Sequence, residues 1–135
     1  MKHQAELLRE ASLAKVNSYS PYSNFRVGAA ILLKDGKIIR GTNIENASYG
    51  LSICAERVCM FNAYAQGYLK EDIVAMAISG DTNDFIVPCG ACRQVMCELM
   101  NDTCSIFLMN KKDEFKEVKM KRLLPYAFKG DVINE

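Results

Sequence analysis

Three cysteines and one glutamate have the residue types and the spacing of a metal-dependent hydrolytic site. Cys54 precedes Glu56 by two residues, and Cys89 and Cys92 form a C-x-x-C pair. A C-x-x-C pair at the start of a helix places both sulfurs on one face, one turn apart. A helix N-terminus also favours thiolate over thiol. Two helices that begin near one point would therefore present three thiolates to one metal ion.

The other metal-binding side chains do not complete a structural zinc site, which needs four protein ligands. Cys59 and Cys97 each lie five residues beyond a candidate ligand, and five residues along a helix turn a side chain about 140° away. Together with Cys104, they are predicted to be buried core residues. The lone histidine, His3, is predicted to be solvated. Three ligands with an open fourth position favour a catalytic zinc over a zinc knuckle or a redox pair.

Glu56 is the candidate proton carrier at this site. A lone glutamate near a helix start is usually a surface charge that suits the helix dipole. Residues two apart on a regular helix diverge by about 200°, so Cys54 must lie at the irregular helix entrance if both side chains face the metal. In that arrangement Glu56 would take a proton from water activated by zinc.

Helical and strand patterns alternate along the chain. The predicted helices lie near residues 7–14, 53–65 and 89–100 and before Pro125, and the predicted strands lie at 26–33, 37–42, 73–79, 105–109 and 115–118. Asp35-Gly36 between the first two strands is a strong hairpin signal. This order predicts an α/β fold, a three-layer α/β/α sandwich with a mixed sheet of about five strands, in a single domain over residues 1–135.

The composition limits the function classes. With 50% hydrophobic and 24% charged residues, the 135-residue chain is too apolar for a disordered protein. A formal net charge of +1 gives no general attraction to nucleic acid or to a membrane surface, so neither partner is expected. No apolar run follows the charged N-terminal residues, which predicts a cytoplasmic protein without a signal peptide. Six cysteines in that compartment suggest metal binding rather than disulfides.

The motif Cys54-Ala55-Glu56, followed by Pro88-Cys89-Gly90-Ala91-Cys92-Arg93-Gln94, resembles the cytidine deaminase family. The similarity extends from Tyr19-Ser20-Pro21-Tyr22-Ser23 to Leu123-Leu124-Pro125. It implies hydrolysis of cytidine and 2′-deoxycytidine to uridine and 2′-deoxyuridine plus ammonia, in pyrimidine salvage. It also implies one zinc ion per chain on the three cysteines, with Glu56 as the catalytic proton shuttle.

Five further residues are candidates for substrate binding. Asn43 and Glu45 are two apart at the end of a predicted strand, so they face the same side, where an amide and a carboxylate together can hold a sugar hydroxyl. The resemblance implies that this is the 3′-hydroxyl. It also implies that Phe25 packs on the base, although an aromatic residue in a strand is more often a core residue. By the same resemblance, the Ala55 backbone N–H contacts the base and Tyr49 forms a pocket wall.

Three thiolates outweigh the positive charge of one zinc ion, so a nearby cation is expected. The resemblance implies that Arg57 hydrogen-bonds the cysteine sulfurs, whereas the usual alternative is a surface arginine. Arg93 is a second candidate, which could instead stabilise its own helix.

A small domain has little depth in which to enclose a nucleoside and exclude water, and a neighbouring subunit can close such a pocket. The segment 123–128 resembles the family element that carries an aromatic residue into the adjacent site. This implies a homotetramer in which Phe128 lies near the base bound next door. The family varies at Tyr126 and Ala127, so a neighbouring residue could have that role, and Phe128 could instead anchor the tail on its own core.

Three alternative functions involve the same motif. An aminonucleoside-antibiotic deaminase has similar zinc motifs and size, but Phe25, Asn43 and Glu45 favour ordinary cytidine. A nucleic-acid-editing deaminase needs a basic groove, and this nearly neutral chain has only scattered basic clusters. A non-catalytic zinc module would not need Glu56 beside an open zinc position.

Overall fold

A five-stranded sheet runs through the computed structural model, which describes residues 1–130 and Ile133. The helices are α1 (Gln4–Ala14), α2 (Ala55–Ala65), α3 (Gly90–Leu99) and α4 (Met120–Leu123). The strands are β1 (Val27–Leu33), β2 (Ile38–Thr42), β3 (Ile73–Gly80), β4 (Ser105–Met109) and β5 (Phe115–Lys119). Among the described residues, no helix is both long and apolar enough to cross a membrane.

The strand order is β2-β1-β3-β4-β5, with β3 and β4 parallel and every other neighbouring pair antiparallel. The predicted hairpin joins β1 to β2, and Gly36 in its turn has a φ of +88°, which a side chain would disfavour. A parallel pair requires a long crossover connection, and α3 lies in the connection between β3 and β4. The predicted mixed sheet is confirmed.

Helices cover both faces of the sheet. β1 is buried along its whole length, because its alternate side chains enter two separate cores. Leu7 and Ala11 of α1 pack with Leu32 and Phe107 in one core, and the core on the other face contains residues of α2 and α3. The predicted three-layer α/β/α arrangement is therefore confirmed. A single sheet shared by both cores supports the proposal that the chain is one domain.

Backbone contact fixes α2 against β2. A Cβ atom added at Gly41 would lie 2.5 Å from the Cys59 amide nitrogen and 2.6 Å from the Ala55 carbonyl oxygen. Real Cβ atoms do not come so close to backbone atoms, so the helix could not rest here on any residue larger than glycine. Ala55 is the first residue of α2, and the contact therefore sets the height of the helix entrance above the sheet.

We predict that Gly41→Ala lowers the free energy of unfolding by about 1–3 kcal/mol, because the added methyl group must displace backbone atoms of α2. Urea-induced unfolding followed by circular dichroism would measure the loss. Gly50→Ala is the matched control, since a Cβ atom there meets no heavy atom within 4 Å. Equal stability of the two variants would contradict the predicted strain at Gly41.

Candidate active site

The entrances of α2 and α3 carry the three cysteines of the motif. Cys54 is the N-cap residue of α2 and Cys89 that of α3, and both have extended backbone angles. Cys92 lies in the first turn of α3. Because Cys54 stands outside the regular helix, its side chain and that of Glu56 can both face the space between the two helix entrances.

The sulfur atoms of Cys54, Cys89 and Cys92 all lie within 4.8 Å of one another. The Sγ atoms of Cys54 and Cys89 are 3.9 Å apart. Soft thiolate ligands in such a cluster suit zinc, so the residues present fit this metal. In the described part of the chain, no other group of three or more metal-binding side chains comes together in this way.

Arg57 supplies positive charge to the cluster. Its Nη2 atom donates a hydrogen bond to the Cys54 sulfur at 3.5 Å. Hydrogen bonding with Cys92, together with this guanidinium, lowers the pKa of the Cys54 thiol to about 5. The Arg57 Nε atom is buried and has no hydrogen-bond partner. Arg57 therefore lies at the sulfurs rather than on the open surface, and its charge favours the thiolate that a metal ion needs.

Glu56 lies in the first turn of α2 and is 4% exposed. Burial raises the pKa of its carboxyl group to about 7, because the charged form loses its hydration. A carboxyl group with that pKa can both accept and release a proton near neutral pH. Its side chain lines the same cavity as Cys54 and Cys89.

This cavity has a volume of about 390 Å³, within the range of small-molecule sites. Its lining includes every residue that the sequence predicted to bind substrate except Phe128, namely Phe25, Asn43, Glu45, Tyr49 and Ala55. It also includes five residues that sequence reasoning missed, namely Val27, Ser52, Ile53, Ile86 and Val87. No local sequence signal marks these five residues, which reach the cavity through tertiary contacts.

Asn43 is 8% exposed and is already hydrogen-bonded to its own chain. Its Oδ1 atom accepts hydrogen bonds from the Ser18 hydroxyl and from the Val27 backbone N–H, the latter at 3.0 Å. Its Nδ2 atom donates to the Phe25 carbonyl oxygen at 2.8 Å. An amide nitrogen carries two hydrogens, so one N–H of Asn43 is left for a ligand.

Glu45 is bound to the segment 18–26, which we call the 18–26 loop. Its Oε1 atom accepts hydrogen bonds from the backbone N–H groups of Tyr22 and Ser23, each at 3.1 Å. Its Oε2 atom accepts a hydrogen bond from the Ser23 hydroxyl. That hydroxyl is the main cause of the lowered pKa of Glu45, which is ionised at neutral pH.

The remaining predicted substrate residues lie around the cavity. Phe25 is 37% exposed, so it is not a core residue. Tyr49 is at the cavity edge, and its ring meets that of Tyr22 edge-on at a centroid distance of 6.1 Å. Ala55 is fully buried at the start of α2, where backbone N–H groups have no partner within the helix and can face a ligand.

Other residues that the sequence singled out lie elsewhere. Phe128 is outside the cavity lining, and its side chain is 59% exposed. The Arg93 guanidinium donates to the carbonyl oxygens of Pro88 at 2.7 Å and Leu123 at 2.9 Å. It thus ties the α3 entrance to α4 instead of contacting the sulfurs. The three other cysteines are buried core residues, as predicted, namely Cys59, Cys97 and Cys104.

Comparison with known proteins gives a consistent result over nearly the whole chain. Residues 1–108 match the family model of the cytidine and deoxycytidylate deaminase zinc-binding region. A cytidine deaminase of Halalkalibacterium halodurans is 49% identical over 129 residues, which cover 96% of each chain. One from Sporosarcina psychrophila is 42% identical over 91% of this chain and 89% of its own. The crystal structure of cytidine deaminase from Burkholderia pseudomallei superposes with a TM-score of 0.90 and 48% identity, covering 95% of this chain and 100% of that one.

We predict that Cys89→Ala abolishes stable zinc binding, because two thiolates leave the ion under-coordinated. Elemental analysis after dialysis should find about one zinc ion per wild-type chain and almost none in the variant. Cys97→Ala is the matched control: it removes a thiol from the same helix, outside the cluster, and should keep its zinc. Full zinc content in Cys89→Ala would rule Cys89 out as a ligand.

Proposed function

Because the chain belongs to the cytidine deaminase family, we propose that it hydrolyses cytidine and 2′-deoxycytidine to uridine and 2′-deoxyuridine, releasing ammonia. The observation that carries this proposal is the position of Glu56. A buried carboxyl group with a pKa of about 7 lines the same cavity as Cys54 and Cys89, two of the three clustered cysteines. A structural zinc module has no use for such a group, whereas hydrolysis of an aromatic amine needs a proton carrier.

In this proposal Cys54, Cys89 and Cys92 hold one zinc ion. When bound, zinc supplies Lewis acidity that lowers the pKa of water toward about 7 and so makes hydroxide available at neutral pH. Three thiolates would weaken that acidity by their excess negative charge. Arg57 offsets the excess through its hydrogen bond to the Cys54 sulfur.

Glu56 moves the protons of the reaction. It takes a proton from the attacking water, gives one to ring N3 of cytosine, and later carries one to the departing ammonia. Protonation of N3 withdraws electrons from C4 and makes that carbon electrophilic. One carboxyl group can both accept and release these protons because burial has brought its pKa close to neutrality.

The hydrogen-bonding capacity left on Asn43 and Glu45 favours a sugar hydroxyl as the ligand. Oδ1 of Asn43 already accepts two bonds, so this residue can only donate its one free N–H. Glu45 is ionised and can only accept. The ligand group must therefore accept from one residue and donate to the other, as a hydroxyl does. A phosphate close to Glu45 would be repelled by its charge, which supports a nucleoside substrate.

The base would lie between Phe25 and the helix entrance. The exposed face of Phe25 can pack on the pyrimidine ring, and the Ala55 backbone N–H can donate to it. Tyr49 would form an outer wall of the cavity. All six cysteines are free thiols, which suits a reducing compartment. We therefore place the activity in the cytoplasm, in pyrimidine salvage.

We also propose a homotetramer whose sites are completed across subunit interfaces. In the single chain, the cavity opens to solvent beside Tyr49, which is 71% exposed. Phe128 is exposed and outside its own cavity, so its ring is available to a neighbouring site. Stacking of an aromatic ring on the base from next door would exclude water from the reaction.

We predict that Glu56→Gln keeps about one zinc ion per chain while turnover of cytidine falls by roughly two to four orders of magnitude. The amide has nearly the same size but cannot carry a proton. The loss of ultraviolet absorbance on deamination measures turnover, and elemental analysis measures zinc. Near-normal turnover in this variant would refute the proposed mechanism.

We predict that mixing two inactive variants restores activity if Phe128 acts on the neighbouring site. Phe128→Ala chains keep their zinc ligands, and Cys54→Ala chains supply an intact Phe128. Light scattering should first give a mass near four chains, with hybrids verified by a tag on one variant. A second mixture, with Tyr126→Ala chains in place of Phe128→Ala chains, tests whether Tyr126, which is fully exposed, has this role instead. A fully active monomer, or verified hybrids with no recovery, would overturn the cross-subunit role of Phe128.

A further inference from the structure

Ser23 connects the two parts of the cavity that would recognise the sugar and the base. It is exposed in the 18–26 loop and does not line the cavity itself. Its hydroxyl donates to Oε2 of Glu45 and accepts a hydrogen bond from the Phe25 backbone N–H at 3.0 Å. Its own backbone N–H donates to Oε1 of Glu45. One small side chain therefore joins the carboxylate to the loop that carries the aromatic ring.

The hydroxyl has a separate effect on the carboxylate from that of the backbone. The last torsion of a glutamate side chain has a broad, weakly defined minimum. The two backbone N–H groups both bind Oε1 and do not hold Oε2. The Ser23 hydroxyl binds Oε2, and with both oxygens bound the plane of the carboxylate is fixed. The remaining acceptor site of Oε2 then points in a single direction.

We propose that Ser23 is a positioning residue for sugar recognition, whose hydroxyl holds the Glu45 carboxylate in the orientation that accepts the sugar hydroxyl. This inference rests on the proposed function, in which Glu45 and Asn43 bind the 3′-hydroxyl of the nucleoside. Ser23 acts through Glu45 and touches neither the reacting atoms nor the three cysteines.

Substrate analogues test this role directly. We expect Ser23→Ala to lower kcat/KM for cytidine roughly tenfold, chiefly through KM, because a carboxylate loses a charge-assisted hydrogen bond that orients it. For 3′-deoxycytidine, which lacks the recognised hydroxyl, the same substitution should change kcat/KM by less than about twofold. The ratio of the two substrates is measured within one preparation, so it does not depend on the active fraction of the protein.

Conservative variants and a control separate orientation from general damage to the loop. Ser23→Thr keeps a hydroxyl and should keep most of the preference for cytidine over 3′-deoxycytidine. Ser23→Val introduces a side chain of nearly the same size as threonine but without the hydroxyl, and it should lose this preference. This pair gives the same comparison if the alanine variant does not fold. Ser48→Ala is the matched control. That side chain is exposed and makes no capping hydrogen bond, so its removal should leave both substrates unaffected.

A double-mutant cycle with Glu45→Gln decides whether Ser23 acts through the carboxylate. In the Glu45→Gln background, Ser23→Ala should have little further effect on cytidine. An undiminished tenfold effect there, or a Ser23→Ala enzyme that still discriminates between the two substrates like wild type, would overturn the positioning role. Neither outcome would affect the proposed function, which fails separately if wild type does not deaminate cytidine. A wild type that deaminates both substrates equally well would overturn the positioning role by removing its premise.

Discussion

Convergence of two helix entrances is the constraint on which the rest of this structure depends. Sulfur atoms from Cys54 and Cys89 stand 3.9 Å apart although 35 residues separate them along the chain. That distance requires α2 and α3 to start at the same point above the sheet. Because β3 and β4 are parallel, α3 must run back along the sheet and therefore begins near the carboxyl end of β3. Arg93 reinforces the arrangement by holding the carbonyl oxygen of Pro88, the residue before Cys89, while also binding α4. The first turns of both helices thus meet with their unpaired N–H groups and positive dipole ends turned toward the sulfurs.

This convergence also explains how two neighbouring acidic groups acquire opposite behaviour. Cys54 and Glu56 are two residues apart, yet the pKa of the thiol is lowered to about 5 while that of the carboxyl is raised to about 7. The thiol has hydrogen-bond donors around it, including Arg57, which stabilise its anion. The carboxyl group is buried, and the loss of hydration stabilises its neutral form. One helix entrance therefore prepares a ligand and a proton carrier, which is the division of roles that hydrolysis at a metal requires.

The sequence predicted most of the architecture because its signals are local. Asp35-Gly36 specified the hairpin, and apolar runs specified the buried strands within one or two residues of their observed ends. The C-x-x-C spacing predicted that Cys89 and Cys92 share one helix entrance, whereas the resemblance to a known family implied that Cys54 joins them. The supporting contacts were not predictable in that way. Ser18 and Ser23 lie 25 and 22 residues from the side chains that they bind. Nothing in the local sequence around a loop serine predicts which distant residue it will bind. Ile86 and Val87 likewise became cavity walls only through tertiary contact.

The backbone contact at Gly41 has a consequence for how much the site must rearrange during each turnover. A helix that rests on side chains can shift when those side chains change rotamer, and each such shift contributes disorder to whatever the helix carries. At Gly41, α2 rests on main-chain atoms, which have no rotamers to exchange. The carboxyl group of Glu56 is therefore carried on a support with little freedom of its own. Electrostatic stabilisation of a reaction is most effective when charges and dipoles already point in the required direction, so a backbone contact at Gly41 favours a low reorganisation energy at Glu56.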